Sequence, residues 1–339
     1  MQLFPMSLPS RLSYAFIALL IIAAGWLHLA TPLVTVLFCF FALHMLSIGG
    51  RKKLGLALFL IVLAGVGVGG FFFVKHTIKA IPGIAETTIP KVLEWAEMQH
   101  IELPFSDYAS LRALAISTVK QEIDGIGKHA GAALIQTAAI LIGVVVAVSL
   151  FLNSRFDLEK DLPAQSNNLY TLTAREITHR FGTFYKSFVT VMGAQILISA
   201  INTVLTAGFL FWNHFPYAKV LVGITFLCGL LPIIGNLISN ALIVGVAFTI
   251  SPNMALAALI FLIVLHKGEY FLNSKIVGDR IQNPMWLTLI GLVLGEKLMG
   301  IPGMILAPVL LHYIKVEAKR SRVTQRDGGE KIVSGDHPA

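Results

Sequence analysis

The chain alternates long apolar runs with short charged ones, and the spacing of the charges measures the runs. Leu12–Gly50 passes 39 residues without Asp, Glu, Lys or Arg, and Leu54–Val74 passes another 21. A bilayer crossing by a helix needs about 20 apolar residues. The first run therefore predicts two antiparallel helices joined by a tight turn at Thr31-Pro32, and the second predicts a third span. His129–Ser154 predicts a fourth. Ser187–Ala218 offers 32 uncharged residues for a tilted fifth span, ending near Trp212, Phe215 and Tyr217, aromatics suited to a membrane interface.

Two polar segments interrupt this series. In Lys75–Lys128 the residues Ile89, Val92, Leu93 and Ala96 recur at helical spacing, as do Leu111, Ala115, Val119, Ile123 and Ile126. Two or three amphipathic helices are expected there, packed on the membrane surface, on one another or against a neighbouring subunit. Arg155–Lys186 predicts another surface helix from about Tyr170.

The remaining apolar sequence is broken. Val220–His266 has no charge over 47 residues but carries Leu-Leu-Pro-Ile-Ile-Gly-Asn at 230–236 and Ser251-Pro252-Asn253. A re-entrant helical hairpin, Val220–Ile250, followed by a sixth span, Met254–Leu272, fits as well as two ordinary spans. Leu272–Leu311 sets Asp279, Arg280, Glu296 and Lys297 amid apolar residues and adds Gly291, Gly295, Gly300, Pro302, Gly303 and Pro308. Irregular backbone at membrane depth survives only where protein or a water-filled cavity covers it. A second hairpin is expected, with arms Met285–Leu294 and Ile301–Leu310 and Glu296-Lys297 at its tip. Beyond Lys319 the tail is polar and unpatterned, hence disordered.

Composition agrees with this reading. Only 13% of residues are charged and 56% are hydrophobic, with mean hydropathy +0.78, against roughly 25% charged residues in a soluble domain. The fold class is all-α: a polytopic helical membrane protein with about six to eight transmembrane segments, two of them broken. Its regions are membrane helices 1–3 (1–74), an extracytoplasmic amphipathic segment (75–128), the fourth span with a cytoplasmic surface helix (129–186), a transport core (187–315) and a tail (316–339).

The net charge of +8 resides at the ends of apolar runs rather than along one face, which points to membrane topology and not to nucleic acid. Lys75–Lys128 holds six basic and seven acidic residues, whereas Arg11, Arg51–Lys53 and the tail are strongly basic. The positive-inside rule puts both termini in the cytoplasm and Lys75–Lys128 outside. Six crossings plus two non-crossing hairpins satisfy this parity, and so do eight crossings. Met1–Arg11 with Leu12–Ala30 resembles a signal peptide, but the second apolar run follows at once, so the first is expected to be retained.

Catalytic and cofactor motifs are absent. Gly65–Gly70 matches G-x-G-x-x-G, yet no strand precedes it, and Gly65 and Gly69 more simply let another helix approach. There is no H-E-x-x-H, no G-x-G-D at Asp279 and no serine in a glycine-flanked elbow. Cys39 and Cys228 lie alone in apolar runs and match neither a metal site nor a disulfide. The expected protein is no enzyme and needs no metal or cofactor.

Polar side chains inside spans are functional candidates, because burying them unpaired is expensive. Gln195 and Asn202, seven apart, share one face of the fifth span. Asn236 and Asn240 open the second half of the first broken element, after Pro232 and Gly235. His266, Lys267 and Glu269 end a span, where snorkelling to the interface accounts for them. Asp279 and Arg280 occupy the loop Asn273–Asn283. Glu296 sits at the expected tip; adjacent residues on a helix do not face each other, so at membrane depth its partner is expected elsewhere, at Arg280 or Lys267, whereas at a tip that reaches the cytoplasm the Glu296-Lys297 pair is merely solvated. Gly300 and Gly303 break the last run.

The succession Leu231-Pro232-Ile233-Ile234-Gly235, Ser274-Lys275-Ile276-Val277-Gly278, then Pro284 with Gly295, Gly300, Gly303 and Ala307-Pro308, resembles the autoinducer-2 exporter family of PerM-type permeases. The similarity covers roughly Leu12–Lys315. Asn236 departs from the small residue or proline usual after Pro-x-x-Gly, and Glu296-Lys297 from the usual small residues. The resemblance implies a multi-pass transporter of the bacterial inner membrane, similar to proteins credited with exporting a small signalling molecule and to others credited with Na+/H+ exchange. It also implies a homo-oligomer, a pentamer, in contact with membrane lipid. The residues by themselves leave two other readings open: a passive oligomeric pore, and a non-transporting scaffold that binds a partner through 75–128.

Overall fold

The computed structural model describes residues 2–3, 7–27, 29–99, 117, 130–153, 168–231, 234–277, 284–320 and 323–324. Nine helices order these residues: α1 (Leu8–Trp26), α2 (Ala30–Leu46), α3 (Lys52–Met98), α4 (Ala130–Asn153), α5 (Leu169–Trp212), α6 (Ala218–Gly229), α7 (Ile234–Ile250), α8 (Pro252–Val277) and α9 (Met285–Arg320). The fold is the expected helical one, apart from a two-residue antiparallel pairing of Gln2–Leu3 with Val323–Thr324. Six of the helices are long and apolar enough to cross a membrane. The sequence Leu111–Ile126, expected to be amphipathic, lies outside the described residues except for Ser117, and so does the tail beyond Thr324.

Three boundaries differ from expectation. The first turn falls at Leu27–Leu29, leaving Pro32 in the opening turn of α2, where a proline costs no hydrogen bond. The third run continues through Lys75 to Met98 as one 47-residue helix, with Pro82 and Pro90 inside it. The surface helix begins at Leu169 and runs without a break into the fifth span, giving the 44 residues of α5. Its start is fixed by Asn168, whose side chain accepts from the Thr171 N–H at 2.8 Å.

One stripe of α5 organises the rest. Arg180, Phe184, Phe188, Met192, Gln195, Ser199, Asn202, Thr206 and Leu210 recur at three- and four-residue steps, so they share one slowly turning face. Phe188 and Met192 are buried with Val34 and Leu37 of α2 and Leu306 and Val309 of α9. At the other end Leu210 joins Val220 and Leu221 of α6, Ile243, Val246 and Ala247 of α7, and Ala255, Ala258 and Leu262 of α8.

α6 and α7 form a hairpin on this scaffold. Tyr217 reaches Gly83 and Phe73 packs on Gly223, so α6 runs antiparallel to α3. Thr88 lies against Gly245 and Lys91 Nζ donates to the Thr249 carbonyl at 2.9 Å, so α7 runs parallel to it. The hairpin therefore enters from the Trp212 end of α5. Its two legs touch where Gly235 lies against the Cys228 carbonyl, leaving no room for a side chain.

α9 is the second hairpin. Its apparent continuity over 36 residues hides Gly300, with φ 63° and ψ −149°, a conformation that only glycine adopts readily. The arms 285–299 and 301–320 fold back and meet with the carbonyls of Gly295 and Gly303 each pressed on the other glycine. The hairpin lies along α1, with the second arm's Glu317 hydrogen-bonded to Tyr14 at one end and Met299, next to the bend, against Gly25 at the other. This hairpin enters from the Arg180 end of α5, so the two tips approach the Met192–Ser199 zone from opposite directions.

A methyl group at Gly303 meets the Gly295 carbonyl, whereas one at Gly65 meets nothing within 4 Å among the described residues. Gly303→Ala is expected to lose about 1–3 kcal/mol through overpacking. Gly65→Ala is expected to be neutral or slightly stabilising in a helix interior. Thermal unfolding of the two purified variants in one detergent checks the contrast.

Candidate functional site

α6 is only 12 residues long, and its last four carbonyls have no partners inside the helix. In a bilayer each would be costly to leave bare. All four are satisfied. Leu230 N donates to Leu227 O at 3.2 Å and Leu231 N to Cys228 O at 2.8 Å. Ser199 Oγ donates to Phe226 O at 2.9 Å and Gln195 Nε2 to Gly229 O at 2.6 Å. Gln195, singled out in the sequence, thus caps the first hairpin; Ser199, on the same stripe, was missed.

One turn further, the stripe supplies a carboxylate site. Asn236 Nδ2, in the first turn of α7, donates to both oxygens of Glu269 at 3.1 and 2.9 Å. Asn202 Nδ2 of α5 donates to Glu269 Oε2 at 3.2 Å. His266, one turn earlier on α8 and half-exposed, stands with Nδ1 3.6 Å from the same oxygen and forms an ion pair when protonated. The Glu269 side chain is only 14% exposed. Its carboxylate turns toward the two amides, whereas Lys267 beside it is exposed. Glu269 lies 17 residues into α8, about 26 Å along its axis. The site carries two further buried oxygens, Asn202 Oδ1 and Thr206 Oγ1, that have no hydrogen-bond partner among the described residues.

The other candidates divide. Asn240 is half-buried one turn beyond Asn236 and forms no hydrogen bond to Glu269. Glu296 is corrected: it precedes the bend, which lies at Gly300, and it pairs with its neighbour Lys297 at 3.5 Å with side-chain exposures of 48% and 77%. The pair reaches across the helix surface because both side chains are long and outward-facing. Gly300 and Gly303 build the second hairpin. Pro232, Asp279 and Arg280 lie outside the described residues.

A second buried ionic group was not legible in the sequence. Arg180 Nη1 donates to Glu317 Oε2 at 2.8 Å, Nη2 to Glu176 Oε2 at 2.9 Å and Ser10 Oγ at 2.8 Å, and Nε to Ser13 Oγ at 2.6 Å. The guanidinium also lies 3.4 Å from the centroid of the Tyr14 ring. Arg180 and Glu317 side chains are 4% and 8% exposed. The Glu176–Arg180 spacing of four hints at the cluster; Glu317, 137 residues away, does not.

A sequence model for a protein family described as AI-2E family transporter matches residues 8–321. The chain belongs to this family. It is therefore a multi-pass membrane protein of a transporter family. It is 28% identical over 191 residues to a Bacillus subtilis (strain 168) protein named "Putative transport protein YdbI", a match covering 53% of this chain and 55% of that protein. The chain thus spans about half the length of this curated relative.

Removing one member of a buried ion pair leaves the other charge uncompensated. Arg180→Met is expected to destabilise the family member by about 3–5 kcal/mol, with α1 the first helix to detach. Arg180→Met combined with Glu317→Leu is expected to recover part of that loss, as read by a double-mutant cycle on thermal unfolding.

Proposed function

We propose that this chain is a secondary transporter of the bacterial inner membrane that moves a small molecule or ion in exchange for H+ or Na+, with Glu269 as the coupling carboxylate. The observation that carries this reading is the partly buried Glu269, held by Asn202 and Asn236 from two different elements. A carboxylate in low dielectric is favoured charged only while donors or a cation offset its desolvation. A proton or an alkali cation on Glu269 removes the need for the amide donors, and their release frees the tip of the first hairpin. Asn202 Oδ1, otherwise unpaired, adds a neutral oxygen beside the carboxylate, the donor type a hard cation takes.

The hairpins support the same reading. Two broken helical segments are the best sequence pointer to a transporter's substrate site, and here their tips converge on α5. Six crossings by α1–α5 and α8, counting the 17-residue α2 and leaving out α9, which folds back at Gly300, with the hairpins entering from opposite sides, would put both termini on one side, the cytoplasmic side by charge. A cavity of about 270 Å³ between α1, α2 and the second hairpin, lined by Ile21, Leu33, Phe184, Leu306 and Leu310, gives that hairpin room to shift. We take the working unit to be a homo-oligomer.

The test is exchange in proteoliposomes under imposed Na+ and H+ gradients, read with an internal pH dye. Glu269→Gln keeps the shape and one acceptor oxygen but not the charge, so gradient-driven exchange is expected to be abolished while assembly stays intact. Asn236→Ala is expected to weaken cation dependence about tenfold or more, the worth of a hydrogen bond to a charged group. Undiminished exchange in Glu269→Gln would remove the carboxylate from the mechanism. Flux that persists without any gradient and never saturates would favour a passive pore.

A further inference from the structure

At the Trp212 end of α5, away from Glu269, a cavity of about 480 Å³ lies between α3, the 213–217 turn and the start of α6. That volume falls within the range of small-ligand sites, roughly 300–1,000 Å³. Its lining includes three basic side chains, His76 of α3, His214 of the turn and Lys219 of α6, together with Tyr217, and no acidic one. Among the described residues none of the three basic side chains has an ion pair or a hydrogen bond. Lys219 brings a positive charge to the cavity and the two histidines bring ring N–H groups, a donor set with no acidic partner that an anion satisfies.

The backbone adds to the same polarity. α6 begins at Ala218 with no side-chain cap on its first turn and no acidic residue in it, and its positive end is directed at the turn. The amide groups of Val220 and Leu221 bond to the Tyr217 carbonyl, whereas those of Ala218 and Lys219 have no acceptor among the described residues. His214 and Tyr217 have φ of 52° and 59°, so the turn doubles back and sets His214 on the same cavity as Lys219.

We propose that this cavity binds a phosphate group, contributed either by the headgroup of an anionic phospholipid or by a free phosphorylated solute. Lys219 supplies the fixed charge, His76 and His214 supply ring N–H donors, and the open amides at the start of α6 complete the set. Phosphate suits it because its several acceptor oxygens engage donors from three elements at once. Occupation of the site ties α3 to the base of the first hairpin.

The full chain is purified in a maltoside detergent free of phosphate, and its thermal unfolding is followed on titration with inorganic phosphate, with short-chain phosphatidylglycerol and, at matched ionic strength, with chloride. Saturable protection by inorganic phosphate assigns a free solute, and protection by phosphatidylglycerol alone assigns a lipid; both support the site. Lys219→Ala, and His76→Gln with His214→Gln, are expected to raise the half-saturating concentration about tenfold each, while Lys219→Arg retains binding. The replaced side chains are exposed, so unliganded melting is expected to stay unchanged. No protection by either phosphate, equal protection by chloride, or unaltered binding in both sets of variants would overturn the proposal.

Discussion

Both hairpins, together with α1 and the carboxylate of α8, meet one face of α5. The stripe from Arg180 to Leu210 changes character along its length: a guanidinium, then aromatic and aliphatic side chains, then Gln195, Ser199, Asn202 and Thr206, then Leu210. Each zone selects a different partner by a different force. The guanidinium draws Glu317 and the start of α1. The apolar zone buries the second hairpin and α2. The polar zone receives a helix end and a carboxylate, groups that could not be buried against Phe188 or Leu210. A single helix thus carries the contacts of both hairpins.

The hairpins are possible because the backbone is accounted for. A helix that ends inside hydrocarbon exposes four carbonyls, and α6 has a donor for each, two from the turn and two from α5 side chains. Close approach is the other half of the solution. Gly235 against Cys228, and Gly295 against Gly303, remove the gap that two helices with side chains at the crossing would leave. Backbone contact at that range gains dispersion energy that lipid cannot offer in exchange.

The polar zone also explains how a carboxylate is kept inside an apolar bundle without being locked there. Glu269 is held by neutral amides from α5 and α7 rather than by a buried arginine. Arg180–Glu317, by contrast, is a salt bridge with further hydrogen bonds and a stacked ring. The first arrangement holds a carboxylate by neutral donors alone; the second holds three helices together. Membership in a transporter family agrees with one site of each kind.

The sequence by itself determined the class of the protein, the number and order of its apolar runs, the two broken elements and the family. Those depend on composition and spacing, because a bilayer imposes span length and forbids bare backbone. It also named Gln195, Asn202, Asn236 and Glu269 as polar groups in apolar surroundings. What it could not decide was their pairing. Glu269 read as an interfacial residue because His266 and Lys267 precede it, and Glu296, set among glycines, read either as a carboxylate at membrane depth or as one solvated at a cytoplasmic tip. Which carboxylate turns inward depends on donors 33 and 67 residues away, and on a bend at Gly300 rather than at Glu296. Only the tertiary structure sets those distances, since the energy of a buried charge is fixed by what meets it across the fold.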